Sequence, residues 1–137
     1  MSESCHYWKF VIRRVNDKPQ FFHSDGTVSS ALFKDSKGVS VDKDHYRLIE
    51  EIVSDEERLN EYYNDIAVKE GKQKNKLKAL VTIDKIVCDS LSIFVKDDPI
   101  PEINIHHCLL LKNNEEISLS NRQAKELAMA SVCIKKY

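Results

Sequence analysis

A chain of 137 residues is the size of one ordinary domain and is long enough to build its own core. Hydrophobic residues make up 42% and charged ones 31%, which places it among soluble globular proteins. With 21 basic residues against 22 acidic, the net charge is −1, which excludes a global attraction to nucleic acid or to anionic membranes. No stretch near the N-terminus has the apolar centre of a signal peptide, and no apolar run approaches the roughly 20 residues needed to span a bilayer. Cys5, Cys88, Cys108 and Cys133 are scattered without close pairs. That spacing fits neither a disulfide framework nor a zinc site, so reduced thiols in a cytoplasmic protein are expected, with no metal and no cofactor.

From the N-terminus, His6 to Arg14 alternates as a strand, with Trp8, Phe10 and Ile12 on one face and Tyr7, Lys9, Val11 and Arg13 on the other. Asn16 to Pro19 breaks it. Phe21-Phe22 leads into the turn Ser24-Asp25-Gly26, and Thr27 to Phe33 resumes the apolar pattern. Lys34 to Gly38 makes a second turn before a short strand, Val39-Ser40-Val41. Leu48, Ile49, Ile52 and Val53 have helical spacing behind Asp42 or Asp44 as a cap. Ser54-Asp55-Glu56-Glu57 then reads as a capping box opening a helix whose buried stripe is Leu59, Tyr62, Tyr63 and Ile66, with Gly71 as its stop.

Lys69 to Lys78 is a basic loop. Ala79 to Ile83 reads as a strand, Asp84 to Ser90 as an ambiguous segment with the look of a helical turn, and Leu91 to Val95 as a strand ended by Asp98-Pro99-Ile100-Pro101. Ile103 to Lys112 alternates again. Ile103, Ile105, His107, Leu109 and Leu111 share one face, while Asn104, His106, Cys108, Leu110 and Lys112 share the other. After a turn at Asn113 to Glu116, Ser120 and Gln123 open a last helix with Ala124, Leu127, Ala128 and Ser131 buried and Lys135-Lys136 near its negative end. The order of elements implies a single α+β domain over residues 1–137, a mostly antiparallel sheet with about three helices packed on one side.

His107 on an apolar face suits a general acid or base, because an imidazole titrates near neutrality; the plainer reading is a core histidine bonded to a backbone carbonyl. Cys108 faces away from it and reads as a buried thiol. His23-Ser24-Asp25 is a turn, since a catalytic triad converges from separate segments. Lys37-Gly38 lacks the frame of a phosphate-binding loop. Arg13-Arg14 straddles both faces of the first strand, so one of them is placed to hold an anion, although a surface charge is the commoner role. The lysines of 69–78 have no interleaved aromatics and offer the only route to a nucleic-acid backbone.

Trp8, then Phe33 with Gly38-Val39-Ser40-Val41-Asp42, then Asp98-Pro99, His107-Cys108, and Ala124 with Leu127 form a series of short motifs spanning most of the chain. In this the chain resembles a group of small, stand-alone bacterial proteins of unassigned function, departing from them at Ile105-His106. The resemblance implies a bacterial origin and one domain, and it implies no activity. It also draws Ser40, Asp42 and His107 together as the candidate catalytic set, while the residues themselves make Arg13, Arg14 and Gly38 the candidate ligand-binding positions. Two functions compete. The first is an accessory module working through a protein partner or a second copy of itself, favoured by the lack of any specific catalytic motif. The alternative is a small hydrolase or transferase acting on a nucleotide, nucleic acid or peptide-like substrate with His107 as acid or base.

Overall fold

The computed structural model describes residues 7–137; His6, expected to open the first strand, and Cys5, expected as a free thiol, lie outside the described residues. Among the described residues six strands form one sheet: β1 (Phe10–Asn16), β2 (Val39–Lys43), β3 (Leu77–Asp84), β4 (Phe94–Asp97), β5 (His107–Leu111) and β6 (Val132–Lys136). Their order across the sheet is β4-β5-β2-β1-β3-β6, and every pairing is antiparallel. Three α-helices accompany it, α1 (Ile49–Lys69), α2 (Lys85–Ser90) and α3 (Asn121–Ala130). The α+β class and the antiparallel sheet are as the sequence implies.

The helices divide between the two faces instead of gathering on one. Val11 and Ile12 are both fully buried although neighbours on a strand point opposite ways, so both faces need cover. Ile12 and Leu80 pack with Ile52 of α1. On the other face Val11, Val41, Cys108 and Leu110 join Leu32 and Phe33, from a 3₁₀ turn at Ser30–Phe33, and Ala124 and Leu127 of α3. The core face of β5 is therefore Cys108 and Leu110. His107, Leu109 and Leu111 look the other way, since residues before His107 form turns and never extend the aliphatic face to Ile103.

Helix α1 runs unbroken through Ser54 to Glu57, so that sequence is no capping box. Leu48 is the N-cap without any side-chain bond, and Asp44 serves the preceding turn instead. Ile52, Glu56 and Leu59 lie at helical spacing on its buried side, which points Glu56 into the protein and leaves Tyr63 exposed. The helix ends at Lys69 with Glu70 as its C-cap, and Gly71 (φ +75°) supplies the left-handed residue that follows. At the C-terminus Ser120 and Gln123 form the reciprocal cap that the sequence signals. Lys135 and Lys136, however, belong to β6 and not to a helix end. Their strand follows α3 after one residue, Ser131.

Candidate functional site

The site grows from an incomplete strand pairing. Strand β1 pairs with β2 only at Val11↔Lys43 and Ile12↔Asp42, whereas β2 pairs with β5 from Val39 to Asp42. Beyond Ile12 the first strand follows β3 and leaves β2, so the two splay apart. Arg13 fills the place of the missing ladder. Its Nη1 donates to the Ser40 carbonyl at 2.8 Å and its Nη2 to the Leu32 carbonyl at 3.2 Å. Burial, followed by repulsion from Arg14, lowers the Arg13 pKa to about 10.

A polar cavity of about 350 Å³ opens in this splay. Arg13, Arg14, Ser40, Asp42 and His107 line its strand side, Asn60, Tyr63 and Asn64 of α1 line the other, and exposed Lys18 and Asp35 stand at its rim. Ser40, Asp42 and His107 are on one sheet face, because Asp42 lies directly opposite both Ile12 and His107 in register. Asn75 also lines the cavity, from a loop tied to α1 by two bonds to Asn64, at 2.9 and 2.7 Å.

Beneath the cavity is a buried charge cluster. Arg14 Nη1 lies 3.3 Å from Asp42 Oδ2 and 3.2 Å from Glu56 Oε1, and both carboxyls are almost fully buried. Burial alone would raise the Asp42 pKa. The proton offered by Glu56, the Arg14 charge and the Asn104 amide (2.6 Å to Oδ1) outweigh it and hold Asp42 below the ordinary carboxylate value. Glu56 goes the other way, pushed well above its usual range by burial, by its hydrogen bond to Asp42 and by the Asp42 charge. One cation thus faces two buried carboxyls whose proton affinities are driven apart, Glu56 upward and Asp42 downward. Glu56 Oε2 and Arg13 Nε are buried without a hydrogen-bond partner among the described residues.

His107 is oriented from outside the cluster. Its Nδ1 lies 2.9 Å from the Asp98 carbonyl and 3.2 Å from Asp98 Oδ2, both acceptors, so Nδ1 carries the proton. Nε2 is left as an acceptor with no hydrogen-bond partner among the described residues. A carboxylate that fixes the tautomer of an imidazole beside a cavity is the arrangement that general-base chemistry needs. No hydrogen bond joins Ser40 to His107, and the register places them diagonally, with Ser40 opposite Leu109. Ser40, Asp42 and His107 share one cavity wall without forming a triad.

Next to this site, two further imidazoles are paired. His45 and His106 are 2.7 Å apart, Nδ1 to Nδ1, so one must donate and the other accept. Burial, then the Arg47 charge and the His45 ring, lower His106 to about 4 against Asp42 and Asp55; burial, Lys43 and Arg47 lower His45 against Asp97 and Asp44. A histidine whose folded pKa is depressed contributes stability that is complete above its unfolded value and is lost as pH falls toward the folded one. The protein should therefore lose stability between about pH 6.5 and pH 4, on the order of 1 kcal/mol after allowing for solvent screening of these half-exposed rings. Urea unfolding at pH 7.5 and 4.5 measures it, and His106→Gln should flatten that slope.

Of the six positions singled out in the sequence, only Gly38 is away from the cavity. It adopts φ +93°, and a Cβ there would sit 2.8 Å from Leu111 Cδ2, so its role is a tight turn packed against β5. Asp98, Glu56, Asn104 and Lys18 are site residues that sequence reasoning missed. The Asp98-Pro99 pair and the acid interrupting the spacing Ile52, Glu56, Leu59 were visible signals for two of them. Cys108 is a buried thiol as expected, its pKa raised by burial, and Cys88 is pushed up to about 12 by the same cause. No group of three or more His, Cys, Asp or Glu suited to a metal ion occurs among the described residues. Nor is any described helix long and apolar enough to cross a membrane. No family model, curated protein or solved structure matches the chain.

Proposed function

We propose that the chain binds a small polar metabolite bearing an anionic group in the splay between β1 and β2 and catalyses a proton-transfer step on it, as a hydrolase or transferase does. The observation that carries this reading is the His107 ring, whose Nδ1 is held by Asp98 and which lines a cavity together with Arg13, Arg14 and Ser40. His107 Nε2 takes a proton from a ligand hydroxyl or water, and Asp98 keeps the ring in the correct tautomer. Arg13 and Lys18 supply positive charge for the anionic group, and the side-chain amides of Asn60 and Asn75 supply bonds for hydroxyls. The free thiols Cys88, Cys108 and Cys133 suit a reducing compartment, in keeping with a cytoplasmic enzyme.

The test is a ligand panel of nucleotides, sugar phosphates and amino-acid-like carboxylates, screened by thermal shift and followed by calorimetry. A ligand that binds wild type and loses at least tenfold in affinity with Asn60→Trp, which fills the cavity from α1, supports the site. Turnover of that ligand should fall at least a hundredfold in His107→Asn. Failure of every class, or equal binding by Asn60→Trp, counts against it.

A second reading, an accessory module for a protein partner, is favoured by the exposed apolar run Tyr46, Leu48 and Ile49 at the head of α1 and by Phe94 on the edge strand β4.

A further inference from the structure

The sheet is wider than its cover. Helix α3 and the 3₁₀ turn at Ser30–Phe33 pack on each other over the face that carries Val11 and Val41. The same face continues across β3 and β6, where Val81 lies opposite Cys133 and Ala79 opposite Lys136. There a groove of about 1060 Å³ is left open, at the upper end of small-ligand pockets. One wall is the segment closed by the Phe22↔Val28 bridge, and the other is Lys125, Ala128 and Met129, at the i, i+3, i+4 spacing of a single helix face. Met129 is 71% exposed although it stands over this apolar floor.

The charge at the groove is lopsided. Lys78, Lys125 and Lys136 line it, and none has a carboxylate partner among the described residues, whereas neighbouring Lys135 pairs with Glu57 at 3.2 Å on the opposite face. Two acids, Asp17 and Asp25, also line it, so the lysines outnumber the carboxylates by one, and Asp25 accepts from the Thr27 amide (2.9 Å) and hydroxyl (2.6 Å). The backbones of Lys78 and Lys136 lie side by side at one end, since the Tyr137 amide donates to the Lys78 carbonyl at 2.9 Å and Lys136 is paired with Ala79, and both residues line the groove. An apolar trough with two unpaired ammonium groups at one end is complementary to a hydrocarbon chain ending in an anion.

We propose that this groove binds a single-chain fatty carboxylate, its tail over Val81, Ala128 and Met129 and its head between Lys78 and Lys136. The site is separate from the cavity at His107 and does not depend on the activity proposed there.

The experiment adds monomeric dodecanoate to the intact chain labelled at methionine methyls. The chain has two methionines, Met1 and Met129, so the groove reports through one readily assigned signal. The Met129 methyl should move saturably, His107 ring signals should not, and dodecanoate should slow alkylation of the exposed Cys133 thiol several-fold. Lys78→Glu with Lys136→Glu should weaken binding at least tenfold while the remaining spectrum stays folded. Ala128→Trp, which fills the trough and keeps the charges, should abolish it. Dodecyltrimethylammonium, with the same tail and the opposite charge, should bind at least tenfold more weakly. The proposal is overturned if dodecanoate leaves Met129 unmoved or if the cationic amphiphile binds equally well. It is equally overturned if only anionic vesicles or an acidic amphipathic peptide engage the groove.

Discussion

Replacing Arg14 by alanine should cost about 3–5 kcal/mol at neutral pH, because it leaves a buried carboxylate with no cation. Asp42 and Glu56 would remain buried side by side, with the Asn104 amide the hydrogen-bond donor left to Asp42 among the described residues. The sign of the pH dependence follows from Asp42. Its folded pKa is lowered, so the stability it contributes is present above its unfolded value and is lost as pH falls. Without Arg14 that contribution reverses, since the folded protein would prefer Asp42 protonated. The deficit of Arg14→Ala relative to wild type should therefore shrink as pH is lowered from 7.5 toward 4. Glu56→Gln is the contrasting variant. Burial and the Asp42 charge push Glu56 toward its protonated form, so an amide of the same shape should change stability by no more than about 1 kcal/mol. Urea unfolding of the three proteins at both pH values decides the matter. A Glu56→Gln loss as large as that of Arg14→Ala would mean that both carboxyls are ionised.

Asp44→Ala should be nearly as damaging, on the order of 3 kcal/mol. The side chain is 1% exposed, and Oδ1 accepts from the Lys9 and Phe10 amides at 2.7 and 3.1 Å while Oδ2 accepts from the Tyr46 amide at 3.1 Å. Alanine strands these donors at the junction of β1 and β2. It also removes the acceptor that fixes His45 and Tyr46 in left-handed conformations, φ 45° and 59°, which side chains other than glycine seldom adopt. The His45–His106 contact should open as a result. Amide exchange at Lys9 and Phe10 should quicken in Asp44→Ala, with Asp44→Asn intermediate because it keeps one acceptor oxygen. A loss under about 1 kcal/mol with unchanged exchange would show that water replaces the carboxylate without strain.

Local rules made much of the fold legible. The alternation around Val11 and Ile12, the Ser120–Gln123 cap and the stop at Gly71 each involve residues only a few positions apart, so their physics is contained in a short window. What required the folded chain was partnership. Ser54 to Glu57 has the letters of a capping box, but the helix had already begun at Ile49 and tertiary packing drew Glu56 inward toward Arg14. Strand β6 has no clear pattern of its own and exists because β3 offers it an edge. At the site, Arg13, Arg14, Ser40, Asp42 and His107 could be named as candidates because polar residues on mostly apolar strands stand out. Their arrangement could not be read, because it depends on β1 parting from β2 after Ile12, and no short window records where two distant strands separate. The carboxylate that orients His107 proved to be Asp98, nine positions away on the loop between β4 and β5, and not Asp42.

The most direct measurement is a long-range ¹⁵N NMR spectrum of the His107 ring, recorded alone and with the ligand panel. The Nδ1–H tautomer is expected in the free protein, with an unprotonated Nε2 that shifts on binding of one ligand class and fails to shift in Asn60→Trp. An Nε2–H tautomer, or a His107 signal that no ligand moves, would contradict a role for His107 as the acid–base group and leave it a structural residue of β5.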